Sequence, residues 1–146
     1  MAMRLEYQPY RSPQGWYNLI YPEYWTHEVI EGIPVFYDPE GSGAVVVTAL
    51  MHSSGEYDID LELKNYLIQH EIEYDPEKVA NFRNSEGSEI RACEFISKER
   101  FWLVYMVSNG KQLIVCSYNS DESPDSDLSG ILTTIISSIR FLNTEE

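Results

Sequence analysis

Cysteine, histidine and basic side chains are scarce in this sequence, and each scarcity excludes a class of chemistry. Of 146 residues only two are cysteine, Cys93 and Cys116, and no CxxC pair is present. Zinc knuckles and thioredoxin-type redox centres need that pair, so both are excluded. The two thiols lie in apolar, strand-like stretches, where a cysteine serves as a small buried hydrophobe, and both are expected free and reduced. No apolar run is long enough to cross a membrane as a helix. The opening Met1-Ala2-Met3-Arg4-Leu5-Glu6 lacks the apolar core of a signal peptide. A cytoplasmic protein is the expectation.

Catalytic signals are equally sparse. The three histidines, His27, His52 and His70, stand in no G-x-S-x-G, H-E-x-x-H or paired Cys/His setting, so each reads as structural or exposed. No glycine-rich loop leads from a strand into a helix, because Gly41-Ser42-Gly43 precedes a strand instead. Oxygen ligands alternate along Asp58-Ile59-Asp60-Leu61-Glu62, but the glycine turn and distal glutamate of a calcium loop are missing. These acids suit the first turn of a helix, where the dipole favours negative charge. Neither a metal nor a cofactor is expected, and no catalytic residue is assigned.

Negative charge, by contrast, is abundant. Ten Lys and Arg against 24 Asp and Glu leave a net charge of −14. That field repels a phosphate backbone and an anionic bilayer, so neither nucleic acid nor membrane is an expected partner. Another protein, and a basic one in particular, is compatible with it.

The pattern along the chain is that of one α+β domain. Residues 1–14, with Pro9 and Pro13, read as an N-terminal arm, residues 15–141 as the domain, and residues 142–146 as a tail. Trp16–Tyr21 is an aromatic-rich strand stopped by Pro22, which has no N–H for a ladder. Glu28–Glu31 and Pro34–Tyr37 flank Gly32-Ile33 as a hairpin. The β-branched run Ala44–Met51 predicts a central strand covered on both faces. Ile59, Leu63, Tyr66, Leu67 and His70 share one helical face, predicting a helix from about 58 to 75 that ends before Pro76.

Val79–Arg83 offers a weak strand, followed by Ile90–Ile96, Phe101–Val107 and Gln112–Tyr118. Asn109-Gly110 predicts a type I′ turn with Ser108 opposite Lys111, Leu103 opposite Cys116 and Val104 opposite Val115. With an even loop at Ser97–Arg100, Cys93 faces Val104, and the two cysteines point to opposite sheet faces. Ser123-Pro124 predicts the cap and first residue of a helix over 124–139, whose stripe is Leu128, Ile131, Leu132, Ile135, Ile136 and Ile139. Hairpin connections make the sheet mainly antiparallel, with helices packed on it.

Several of these features together resemble the PsbP-like fold family, which includes Ran-binding Mog proteins and DcrB-like bacterial proteins. They are the opening strand closing in Tyr21-Pro22 with Trp25 three residues on, the hairpins, the mid-chain helix, Asn109-Gly110, and the final helix running into Ser138-Ile139-Arg140-Phe141. The resemblance covers about residues 15–141 and departs where Tyr24 replaces the small residue that often precedes the tryptophan. It implies a PsbP-like sandwich that binds other proteins and performs no catalysis.

The functional expectation is a non-enzymatic protein-binding module of the adaptor, secretion-chaperone or toxin-neutralising type. Asp121 and Glu122, lying ahead of the final helix, and the loop tyrosines Tyr24 and Tyr57 are the candidate partner-binding residues, since tyrosine is favoured at interfaces. The alternative is a small-molecule binder or weak hydrolase with a pocket near Trp25 and His27. Oligomeric state is left open.

Overall fold

The computed structural model describes residues 6–41, 43–51 and 55–142. Ser42, His52, Ser53 and Ser54 lie outside these, so the readings made at Gly41-Ser42-Gly43 and His52 are followed only through their neighbours. The described residues form strands β1 Tyr7–Arg11, β2 Tyr17–Pro22, β3 Thr26–Ile30, β4 Ile33–Tyr37 and β5 Ala44–Met51, then helix α1 Ile59–Gln69. Strands β6 Ala80–Arg83, β7 Glu89–Ser97, β8 Arg100–Ser108 and β9 Gln112–Ser120 follow, then helix α2 Ser126–Ser137 and strand β10 Arg140–Phe141. The architecture is α+β.

Two antiparallel sheets are present, a small one ordered β1-β2-β10 and a seven-stranded one ordered β3-β4-β5-β9-β8-β7-β6. The large sheet is apolar on both faces and therefore carries two cores. On one face Phe36, Val45, Val47, Ile114 and Cys116 meet Tyr17 and Leu19 of β2 and the α2 stripe Ile131, Leu132, Ile135 and Ile136. On the other, Cys93, Val104, Met106 and Leu113 meet Ile59, Leu63 and Leu67 of α1. Fully burying side chains of this size stabilises the fold by about 1.5–3 kcal/mol each.

The cysteines follow the alternation of the strands. Cys93 faces Val104 and Cys116 faces Tyr105, which puts one thiol in each core, both free.

Several local expectations are corrected. Residues 7–11, read as part of an arm, form β1 at an edge of the small sheet. Strand β5 is fully buried on one face only, because α1 lies over the other end of the sheet and leaves Leu50 exposed. Helix α1 ends at Gln69, well before Pro76. Glu71 takes φ +62°, and the Ile72 and Glu71 N–H groups donate back to the Leu67 and Ile68 carbonyls at 2.8 and 2.9 Å. That is a Schellman stop with glutamate in place of the usual glycine. The α2 cap is Asp125, whose Oδ1 accepts the Leu128 N–H at 2.9 Å, and Ser123 lies outside the helix.

The Asn109-Gly110 loop is also longer than predicted. Ser108 pairs with Leu113, so Leu103 faces Tyr118 and Val104 faces Ser117, two residues away from the expected register. Asn109 does not take the positive φ of a type I′ turn. Its Oδ1 instead accepts the N–H groups of Lys111 and Gln112 at 3.1 and 2.9 Å, while Ser108 Oγ donates to the Gln112 carbonyl at 2.9 Å. The side chain closes a four-residue loop. Because the slip is by two, every residue keeps its predicted face.

Tight two-residue turns stand at Glu31-Gly32, one residue before the expected Gly32-Ile33, with φ +52° and +84°, and at Lys98-Glu99, with φ +54° and +65°. The second pair holds two residues that carry a Cβ in left-handed geometry, at a cost of about 1 kcal/mol or more each. Replacing Lys98-Glu99 by Asn-Gly is expected to raise the melting temperature by about 2–4 °C for each kcal/mol recovered, measured by calorimetry. An unchanged or lower midpoint would show that the turn carries no strain.

Burial pushes the Cys116 thiol up from 9.0 to about 12. It pushes the Tyr17 phenol up as well, with Cys116 and Tyr10 adding to the effect. Between about pH 9 and 12 the folded state therefore keeps a thiol proton that the unfolded chain has released, and stability falls as pH rises. The urea midpoint is expected to hold steady below pH 9 and decline above it. In Cys116→Ser the decline should be shallower, and an identical slope would contradict the assignment.

Candidate functional site

One end of the domain gathers three loops around a cavity of about 420 Å³. The β2–β3 turn brings Tyr24 and Trp25, closed by the Trp25 N–H donating to the Pro22 carbonyl at 3.0 Å. The β4–β5 loop brings Asp38 and Gly43, and the segment from β9 into α2 brings Tyr118, Glu122, Asp125 and Asp127. Pairing of Ala44 with Asn119 at the adjoining ends of β5 and β9 holds the last two groups together.

The rings form the apolar wall. Trp25 is 5% exposed and Tyr118 4%, whereas Tyr24 is 52% exposed at the rim. A Cβ on Gly43 would sit 2.5 Å from Cε1, Cζ and the hydroxyl of Tyr118. Glycine is required there so that the ring can lie against the main chain. Trp25 Nε1–H has no acceptor among the described residues. A buried donor left in that state costs about 1–3 kcal/mol.

Among the described residues four carboxylates line the cavity and no lysine or arginine does. Two of the four also serve the main chain: Asp38 Oδ1 accepts the Glu40 N–H at 2.9 Å, and Asp125 caps α2. Asp127 stands in the first turn of α2, where the helix dipole favours it. Glu122 has no such duty among its side-chain oxygens. Aromatic faces beside carboxylates form a binding environment for an organic cation, worth about 0.5–2 kcal/mol per ring contact.

The structure brings Tyr24 and Glu122 together in this cavity. Asp121 is adjacent in sequence but turns to Arg100, which donates to its Oδ1 at 2.8 Å. Tyr57 stands far away. Its N–H donates to the Gly110 carbonyl at 2.7 Å, at the opposite end of β9, roughly 25 Å off at ~3.3 Å per residue. Trp25 lines the cavity, but His27 does not. The His27 ring stacks on Phe36 at 5.4 Å and meets the Tyr10 ring at 4.7 Å, in an aromatic cluster between the two sheets. His70 packs on Trp102 at 5.1 Å beyond the end of α1. Asp58 caps α1, and Asp60 pairs with Arg91 at 2.8 Å.

Asp38, Tyr118, Asp125 and Asp127 were missed as site residues. The acidic run before α2 and the glycine turn after β4 are both visible in the sequence. Their adjacency depends on the β5–β9 pairing, which no local signal carries.

Neither a family model nor a curated protein matches the sequence. Solved structures do match its fold. A Bacteroides thetaiotaomicron protein superposes with a TM-score of 0.70 at 18% identity, over 95% of this chain and 50% of that one. The chain thus spans half the length of that protein. The cyanobacterial PsbP protein (CyanoP) of Synechocystis matches with a TM-score of 0.63 at 18% identity, over 93% and 92% of the two chains. The Ran-binding protein Mog1p of Saccharomyces cerevisiae matches with a TM-score of 0.58 at 8% identity, over 97% and 98%. The chain has the PsbP-like fold.

The cavity wall gives a direct test of its construction. Gly43→Ala is expected to displace the Tyr118 ring and to destabilise the domain by about 1–3 kcal/mol in urea unfolding. An unperturbed midpoint would mean that the ring is not held against the main chain.

Proposed function

We propose that this protein is a non-enzymatic protein-binding module that takes a basic side chain of its partner into the aromatic, acidic cavity. The single observation carrying this reading is the wall itself, with three aromatic rings and four carboxylates and, among the described residues, no opposing cation. The ammonium or guanidinium of lysine or arginine meets both the ring faces and the carboxylates, while the stem packs on the rings. The net charge of −14 adds long-range steering of a basic surface and works against nucleic acid and anionic membrane. Binding folds among the structural neighbours support the non-catalytic part of the reading, since Mog1p is a Ran-binding protein.

Glu122 and Tyr24 are partner-binding residues in this proposal, with Asp38 added. Asp121, paired with Arg100, stands outside the cavity lining, and Tyr57 belongs to a separate surface. A cytoplasmic setting is part of the same proposal, supported by two free thiols. Among the described residues no helix is long and apolar enough to cross a membrane.

The cavity volume also favours a second reading, a small cationic ligand, because it falls within the ~300–1,000 Å³ of small-molecule sites. Hydrolysis finds no support there. His27, the base such a reaction would use, stands outside the cavity.

Acetyl-arginine methylamide and agmatine separate the two readings, with the Trp25 indole N–H signal as the readout in a ¹H–¹⁵N spectrum. The peptide mimic adds flanking peptide groups that can pack on the exposed Tyr24 ring and agmatine does not, so tighter binding of the mimic is expected. Asp38→Asn with Glu122→Gln keeps the loop hydrogen bond, should leave the melting temperature unchanged, and should weaken the mimic about fivefold, or about 1 kcal/mol. Agmatine binding as tightly as the mimic would favour the small ligand. A Trp25 signal indifferent to both would end the cavity reading.

A further inference from the structure

The seven-stranded sheet has a gap in one edge. Strand β6 pairs with Glu89–Ala92, while β7 runs on to Ser97. The chain ahead of β6 does not continue the ladder, because Pro76–Lys78 coil into a 3-10 turn. Asp75 caps that turn by accepting the Glu77 N–H at 3.0 Å. Among the described residues, Cys93–Ser97 are therefore paired on the β8 side alone.

The hairpin determines which main-chain groups face the gap. Ser97 and Arg100 close a two-residue turn, so they form a hydrogen-bonded pair, and such pairs alternate along an antiparallel ladder. Phe95 and Cys93 then bond to β8. Glu94 and Ile96 direct their N–H and C=O groups outward, in line with Ala92 and Ile90, the residues facing Ala80 and Phe82 of β6. Beside this edge lies a cleft of about 410 Å³ lined by Ile72, Cys93, Phe95, Ile96 and Phe101. Ile96 is 72% exposed. Native sheets usually shield such an edge with lysine, proline or a bulge. Here, among the described residues, Glu73, Asp75 and Glu94 surround it against the single base Lys78.

We propose that an extended segment of a partner protein, alternating apolar and basic side chains, adds to the sheet as a strand along Glu94–Ile96. The outward main-chain groups call for a strand, since only a strand presents donors and acceptors at that repeat. Ile72, Cys93 and Phe95 on the α1 face of β7 take the apolar side of the segment, while Glu94 on the other face, with Glu73 and Asp75 beside the cleft, takes its basic residues. A second copy of this chain would bring −14 against −14 and set acidic edges together. The cleft is separate from the acidic cavity. The Arg100–Asp121 ion pair stands beside both, since Phe101 faces Ser120 across β8 and β9.

The test uses the hexapeptide acetyl-Val-Lys-Val-Lys-Val-Lys-amide, together with two versions methylated on either the valine or the lysine main-chain nitrogens. The unmodified peptide is expected to shift the amide signals of Glu94 and Ile96. One methylated version should bind about tenfold more weakly than the other, because only one set of N–H groups faces β7. Ile96→Pro removes an outward N–H and leaves the β8 ladder intact, as edge strands tolerate, and it should weaken the unmodified peptide about tenfold. Equal affinity for the two methylated peptides overturns the strand and leaves attraction by charge. Shifts confined to the Trp25 indole and Glu122 also overturn it, yet leave the cavity reading standing. Self-association of the wild-type chain that Ile96→Pro abolishes would make the occupant a second copy and overturn the partner.

Discussion

Everything in this fold depends on a sheet that is apolar on both faces. Strands β7, β8 and β9 place hydrophobic residues at odd and even positions alike, so neither face can remain in water. One face is sealed by α2 and the small sheet, the other by α1. Where those covers stop short, apolar side chains are left at the margins. Leu50 at the end of β5 and Ile96 at the end of β7 are both consequences of finite lids on a wide sheet. The cavity arises from the same geometry, at the end where the loops must bridge from one layer to the next.

The parts legible from sequence were those encoded by periodicity. The α2 stripe, the apolar face of α1 and the face assignment of each cysteine all rest on spacings of 3.6 or 2, and each appears in the structure. Parity proved sturdier than register. Asn109 closed its loop through a side-chain oxygen rather than through left-handed backbone, and a two-residue shift left each face unchanged. Helix ends were less legible. Glu71 occupies a left-handed position that sequence reading assigns to glycine, and Asp125 competes with Ser123 for one cap.

The cavity was half legible for a different reason. Tyr24, Trp25 and Glu122 attract notice as loop aromatics and as an acid without a helix to serve. Tyr118 reads as an ordinary strand tyrosine, and only the absence of a side chain at Gly43 lets its ring form a wall. Such complementarity between a missing atom and a distant ring has no footprint in local spacing. Asp121 shows the converse: prominent in sequence, it is already occupied by Arg100.

The small sheet joins segments from opposite ends of the described chain, since Arg140 and Phe141 pair with Asn18 and Tyr17. Ser138 reinforces the junction, its hydroxyl accepting the Ile20 N–H at 3.0 Å and donating to the Ile135 carbonyl at 2.6 Å. The large sheet and its α1 core, by contrast, use nothing beyond Ser120. On the ribosome the two cores therefore cannot mature together. The α1 side can close while synthesis continues, but β2 waits with its aromatic face uncovered until residue 141 has left the exit tunnel. The nascent chain spends that interval with one finished face and one apolar face uncovered.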